Sequence, residues 1–314
     1  MQPDDQLAQL LALKLPRATI EEYLRLHRRS AENLLAAFHA SGDAENPVGD
    51  LNYLKEAATN FPGDPHVQLA VLAHDAFPEA RRQWLDAFKA SAPSNSLANY
   101  LSARDHFKNG QPNAAIKELL EATAKPQFAD FTMESYLVEK EMYRTIGKSP
   151  LESNQAAMSA AAGDLLPELS SWKGLAQGVR ELQKQYASSG DSASVDNLSQ
   201  FSLALANRLT GGDSGKFIIS QLVGMAIEAL ALAELNPNTS YAFLDGKTPS
   251  QRKDELKQQR ASMRELSQSF QAAFQGLTET QRENYSERAR IYGELSTMRW
   301  LVEQRGANTP SQGP

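Results

Sequence analysis

Apolar side chains recur at the three- and four-residue spacing of α-helices along most of the chain. One such face runs from Leu165 to Tyr186, and another runs from Val195 to Leu209. Valine, isoleucine and threonine never gather into the alternating runs that half-buried strands require. The pattern therefore predicts an all-α protein.

Several predicted helices begin at residues that can cap them. Ser149, Thr248 and Thr278 are each followed three residues later by Glu or Gln, as in a capping box. Proline directly follows two of these residues, at a helix position where no intrahelical hydrogen bond is lost. Thr19 and Glu22 have the same spacing. These four places predict helix starts.

A repeated pattern of small residue, large residue, small residue and proline occupies the first half of the chain. Its closing prolines are Pro62, Pro93 and Pro126, which lie 31 and 33 residues apart. A period near 33 residues is typical of repeats built from pairs of helices. The spacing therefore predicts stacked helical hairpins rather than one irregular bundle.

The stretch from Ser96 to Pro126 resembles a tetratricopeptide (TPR) repeat. Ala103 stands at the small position where the first helix meets the second, Gly110 stands at the turn, and Ala115 is the close-contact alanine of the second helix. Leu119 and Ala122 follow at the next large and small positions. Small facing residues let two helices pack closely.

The resemblance extends over residues 19–162 and implies a TPR-like α-α solenoid there. Asn99 and Ser102 stand where the family usually has tryptophan and leucine. TPR proteins commonly bind peptides on the concave face of the array. The resemblance places four partner-binding candidates on that face, namely Tyr100, Arg104, Phe107 and Lys108.

The domain organisation follows from where the repeats stop. We expect an N-terminal segment at 1–18, TPR-like repeats at 19–162, a helical bundle at 163–306 and a disordered tail at 307–314. Within the bundle, residues 249–306 are predicted to form a long antiparallel helical hairpin. A loop rich in aromatic residues precedes this hairpin and is predicted to pack on the bundle or, alternatively, to bind a partner.

The predicted hairpin has a heptad pattern in its first arm. Leu256, Met263, Phe270 and Leu277 recur every seven residues, and Gly276 marks the turn. The second arm is predicted to continue without interruption to residue 306. Such a stripe favours packing between the two arms, or self-association with a second copy.

Composition excludes several kinds of site. The chain has 314 residues, a formal net charge of -6 and no cysteine, which excludes disulfides, thiolate nucleophiles and cysteine-ligated metals. An acidic chain has no generic attraction to nucleic acid. The apolar stretch from Phe217 to Leu235 contains Gln221, Glu228 and Glu234, so we expect a buried helix rather than a membrane span.

No targeting signal is expected at the start of the chain. Met1 is followed by acidic and polar residues, without the basic start and apolar run of a leader peptide. The sequence does not decide between a location in the cytoplasm and one in a bacterial envelope.

No catalytic, cofactor-binding or metal-binding residues are predicted. The run from Gly211 to Lys216 is one residue too short for a phosphate loop, and Phe217 replaces the required Ser or Thr. None of the five histidines lies three or four residues from another. Two basic clusters, at Arg25–Arg29 and Arg81–Arg82, are predicted to be solvated helix edges.

Three hypotheses for function follow from these observations. The first is a non-catalytic scaffold that binds a protein or peptide partner through the TPR-like repeats. The second is a structural component that self-associates through the hairpin. The third is a helical enzyme with an unrecognised site. The scaffold is preferred because repeat arrays offer long binding surfaces without any reactive residue.

Overall fold

The structure, a computed structural model, describes residues 14–42 and 49–307, without the side chains of residues 162–168 and 306–307. Regular structure in these residues is helical throughout, which confirms the prediction of an all-α protein. Short 3-10 turns occupy Pro78–Ala80, Ser214–Lys216 and Ala242–Leu244. The helices are α1 (Arg17–His27), α2 (Ala31–Ala40), α3 (Leu51–Asn60), α4 (Pro65–Ala73), α5 (Arg81–Ser91), α6 (Leu97–Lys108), α7 (Pro112–Ala124), α8 (Thr132–Thr145), α9 (Pro150–Ser188), α10 (Ser192–Thr210), α11 (Ile218–Ala231), α12 (Pro249–Gln275), α13 (Glu279–Tyr292) and α14 (Glu294–Ala307).

The chain divides into two compact units. The first consists of Met1–Ser102 and Ala124–Ser171, and the second of Ala103–Thr123 and Trp172–Pro314. The predicted change of domain after residue 162 falls inside α9. The predicted tail lies outside the described residues from residue 308 onward.

The centre of the first unit is α2, which is buried along nearly its whole length. It packs against α3 and α4 and also against α8, which follows it by about one hundred residues in the sequence. In an open repeat array each repeat contacts only its neighbours. The contact between α2 and α8 instead closes the helices of this unit into a bundle.

Local capping confirms three of the four predicted helix starts. Thr248 and Thr278 form complete capping boxes. Ser149 and Glu152 exchange the two expected hydrogen bonds, of 2.9 and 3.2 Å. The start at Thr19 is wrong, because the carbonyl of Pro16 already accepts the N–H of Thr19 at 3.0 Å. Pro16, with a φ of -58°, is the N-cap, and α1 begins three residues earlier than a cap at Thr19 would predict.

The helix pair predicted between Ser96 and Pro126 is present as α6 and α7. Gly110 lies in the turn between them, and α7 ends two residues before the proline. The residues at the small and large positions of the repeat are buried, namely Ala103, Ala115, Leu119 and Ala122. The structure therefore supports the helix boundaries of this pair.

In the second unit, α10 and α11 approach each other closely. A side-chain carbon added at Gly224 would lie 3.0 Å from the carbonyl oxygen of Ala206. The apolar stretch from Phe217 to Leu235 is not buried on all sides as expected, because Ile219 and Leu222 are each 37% exposed. No helix in the described part of the chain is long and apolar enough to cross a membrane.

The aromatic loop before α12 packs on the core of the second unit. Leu244 is buried, and Tyr241 and Phe243 pack against the same cluster as Leu232 and Leu256. The prediction that this loop packs on the bundle is confirmed.

The predicted hairpin at 249–306 is a three-helix arrangement. Its first arm is α12, but the second arm is divided at Gly293 into α13 and α14. Phe270 of α12 contacts Tyr285 of α13, so these helices run antiparallel near the turn. Arg305 of α14 donates to the carbonyl of Gly276 at 2.8 Å, which brings the ends of α12 and α14 together. The last helix therefore runs back parallel to α12.

Candidate functional site

The second unit contains a groove of about 660 Å³. Helices α10 and α11 form one side and α12 and α14 form the other. Its apolar floor consists of Met225, Met263, Leu266 and Leu295. Ligand-binding clefts usually measure about 300–1,000 Å³. The groove is therefore large enough to hold a ligand.

One end of the groove carries a closed network of charges. Arg252 donates to both oxygens of Glu228 and, at 2.8 Å, to Glu255. Lys247 pairs with Glu255 at 2.7 Å. Hydrogen bonds from Lys247 and Arg252 lower the pKa of Glu255, and the bond to Glu228 raises the pKa of Arg252. The charges of two carboxylates and two basic side chains thus balance each other at this end of the groove.

Uncharged polar side chains line the walls between the floor and solvent. Four of them form no hydrogen bond to the described residues, namely Asn207, Gln258, Gln259 and Ser262. All four are exposed. Their donors and acceptors are consequently available to a ligand.

Arg299 is the groove's remaining charged side chain. It is exposed, and no carboxylate among the described residues lies within ion-pair distance of its guanidinium. Arg299 therefore differs from Arg252, whose charge is already balanced by two glutamates.

The N-terminus of α14 is tied to that of α11 beside the groove. The carboxylate of Glu294 accepts the backbone N–H of Ile218 at 2.7 Å, across 76 residues of sequence. Burial raises the pKa of Glu294, and the bond from Ile218 opposes this only in part. The carboxylate thus caps α11 while its charge is held in an unfavourable position.

Replacing Glu294 with glutamine is expected to make the protein more stable, relative to the parent, as the pH rises. A raised pKa in the folded state means that the stability contributed by Glu294 is complete below pH 4.5, its ordinary pKa, and is lost as the pH rises through the folded value. Glutamine keeps an oxygen for the Ile218 N–H and carries no charge. Urea unfolding of both proteins at several pH values checks this, and parallel curves would contradict it.

The four residues predicted from the TPR resemblance do not form an open surface. Tyr100 is fully buried and has no exposed surface to offer a partner. Arg104 is mostly buried beside Asp105, at 3.5 Å. The ring of Phe107 lies against Gly178 of α9, so it contributes to packing. Only Lys108 is exposed.

Arg25 and Arg28 of the first basic cluster are exposed, as predicted for a solvated helix edge, whereas other arginines of the two clusters form contacts within the protein. Arg29 pairs with Glu56 and with Glu21 at 2.5 and 2.8 Å. Arg82 donates to Ser102 at 2.8 Å. Arg29 and Arg82 therefore contribute to the fold through these contacts.

The first unit contains a buried acid–base pair, His39 and Glu139. The side chains are 5% and 2% exposed, and the histidine Nδ1 lies at hydrogen-bonding distance from a carboxylate oxygen. The adjoining cavities measure about 30 and 20 Å³, which is room for no more than about two water molecules. The described residues contain no cluster of three side chains suited to a metal ion. The pair accordingly belongs to the core.

No protein-family model, curated protein or solved structure matches the chain. The function must therefore be argued from the geometry of the groove.

Proposed function

We propose that this chain is a non-catalytic protein that binds a peptide or protein partner in the groove of its second unit. The observation that carries the proposal is a set of four exposed polar side chains beside an apolar floor, Asn207, Gln258, Gln259 and Ser262, which form no hydrogen bond to the described residues. Binding surfaces typically combine such a floor with a few polar groups that fix orientation.

The charged residues of the groove favour binding over acid–base chemistry. A catalytic acid or base works best when its pKa lies near the operating pH. The pKa of Glu255 is instead lowered, by its bonds to Lys247 and Arg252. Two guanidinium nitrogens of Arg252 each donate a hydrogen bond to one carboxylate oxygen of Glu228. This network is better suited to fixing α11 against α12 than to moving protons.

The TPR-like pairing of α6 and α7 remains part of the proposal. Buried Ala103 and Ala115 are consistent with two helices that approach closely. We place the binding surface in the groove rather than on this pair because Lys108 is the only exposed residue of the four candidates.

Most of the heptad stripe packs within the chain, and only Met263 faces the groove, which favours partner binding over self-association. Leu256 and Leu277 are buried, and Phe270 contacts Phe274 and Tyr285. A stripe already covered by the protein's own helices offers little apolar surface to a second copy.

A tryptophan at Ser262 is expected to block the groove. Random linear dodecapeptides displayed on phage would be selected on the immobilised full chain. The selected peptides should bind Ser262→Trp at least about tenfold more weakly, a loss of about 1.4 kcal/mol. Ser262 is exposed, so the substitution should leave the fold intact, which circular dichroism would verify.

Lys108→Glu is the matched control, because it alters the exposed residue of the sequence-predicted surface and leaves the groove unchanged. Its binding should equal that of the parent. Equal binding by parent and Ser262→Trp would refute the groove as the site. If Lys108→Glu lost binding and Ser262→Trp did not, the binding site would lie on α6, as the sequence predicts.

A further inference from the structure

The groove's charges are complementary to an anionic ligand. At one end, Glu228 and Glu255 are balanced by Arg252 and Lys247. Arg299, which lines the groove on α14, has no such balance within the described residues. A guanidinium binds a carboxylate through two parallel hydrogen bonds. Among the unmodified side chains of a peptide, the group that complements Arg299 is therefore the carboxylate of aspartate or glutamate.

The spacing of the polar wall matches an extended polypeptide. Gln258 and Ser262 are four residues apart on α12, so they are separated by about 6 Å along the helix axis. In an extended chain, backbone groups that face the same way recur every two residues, or about 6.6 Å. The two side chains can thus reach successive backbone groups of one bound strand.

A helical ligand would leave the same side chains without partners. The backbone N–H and C=O groups of a helix bond to each other, whereas those of an extended chain are free. Asn207, Gln258 and Gln259 offer amide donors and acceptors on facing walls. Their availability favours the extended ligand.

The length of the wall limits the size of the bound segment. The groove-lining residues of α12 run from Arg252 to Leu266, which spans about 21 Å. An extended chain covers that distance in about six residues. Met225 and Met263 in the floor can adapt to different apolar side chains, because methionine is unbranched and flexible.

We propose that the groove binds an extended peptide segment of about six residues, with an aspartate or glutamate side chain paired to Arg299. This inference rests on the proposed function and deepens it. The alternating side chains of the segment contact the methionine and leucine floor, and its backbone bonds to the amide side chains of the walls.

A charge reversal at Arg299 tests the pairing. Dodecapeptides on phage would be selected in parallel on the parent, on Arg299→Glu and on Arg264→Glu. Arg264 is the matched control, because it is an exposed arginine of α12 that, unlike Arg299, does not line the groove. We expect an acidic residue at one position of the peptides selected by the parent and by Arg264→Glu. Arg299→Glu should select lysine or arginine at that position.

A synthetic peptide from the parent selection makes the test quantitative. Changing its acidic residue to the corresponding amide should weaken binding to the parent about tenfold, and more at low salt than at high salt. The same change should have no effect on binding to Arg299→Glu. The chemical shifts of the isotope-labelled peptide should show an extended backbone when it is bound.

The outcomes separate this inference from the proposed function. Peptides that bind in the groove with no acidic preference, or with a helical backbone, would overturn the inference and leave the proposed function standing. If N-acetylglutamate bound as tightly as the peptide, the inference would be overturned, and the ligand would be a small carboxylate rather than a peptide. Failure of the parent to select any peptide would overturn both.

Discussion

Replacing Glu139 with leucine is expected to lower the free energy of unfolding by about 3 kcal/mol. The glutamate and His39 are almost completely buried and form a hydrogen-bonded pair between α2 and α8. Leucine fills a similar volume but leaves the Nδ1 of the buried imidazole without this partner. Urea unfolding of the full chain measures the change.

The double substitution His39→Leu with Glu139→Leu is the decisive comparison. Replacing both partners of a buried pair with apolar residues is often close to neutral, since neither member of the pair is then left without the other. The double variant should therefore be more stable than Glu139→Leu alone, and the coupling between the sites should be favourable. Additive losses would contradict a specific pairing. Hydrogen exchange of α2 and α8 amides would locate the effect.

The sequence could not predict this pair, because its members are separated by 100 residues. Their neighbours along each helix carry no mark of the contact, and histidine is common on helix surfaces. Pairing of distant helices is a property of the fold. A repeat period would predict neighbours in an array, but the burial of α2 against α8 depends on how the whole unit closes.

Local signals, by contrast, predicted most of the helices. The boxes at Thr248 and Thr278 involve residues three positions apart, so the sequence contains all that is needed to recognise them. The resemblance to a TPR repeat also implied a turn at Gly110 and close packing at Ala103 and Ala115, which are buried in the structure. These features concern one helix or one helix pair, where distance along the chain and distance in space agree.

The groove was missed because it combines side chains from four helices. Gln258 and Ser262 lie in a polar stretch that the sequence marks only as a solvated face. Arg299 lies in what was predicted to be a continuous second arm. One usable signal was overlooked, namely a glycine directly after the tyrosine that ends α13. Glycine in that position commonly ends a helix.

Replacing Gly293 with alanine is expected to lower the free energy of unfolding by about 2 kcal/mol. Its φ and ψ of 84° and 157° lie in a region that only glycine adopts readily. An added methyl group would also lie 3.2 Å from the Cα of Lys216. Because Leu295 and Arg299 follow this turn, the same substitution should weaken the binding of groove-selected peptides.

Gly276 provides the matched control, since it ends α12 at the turn that precedes α13. Its φ is -84°, and an added methyl group would meet only the end of the Arg305 side chain, at 3.5 Å. Gly276→Ala should therefore change stability by less than about 1 kcal/mol and should leave peptide binding intact. Thermal unfolding of both variants and titration with a selected peptide give the comparison. Equal stability of the two variants would mean that the division between α13 and α14 does not depend on the backbone conformation of Gly293. That result would favour the continuous second arm that the sequence predicts. Arg299 would then not be expected to line the groove.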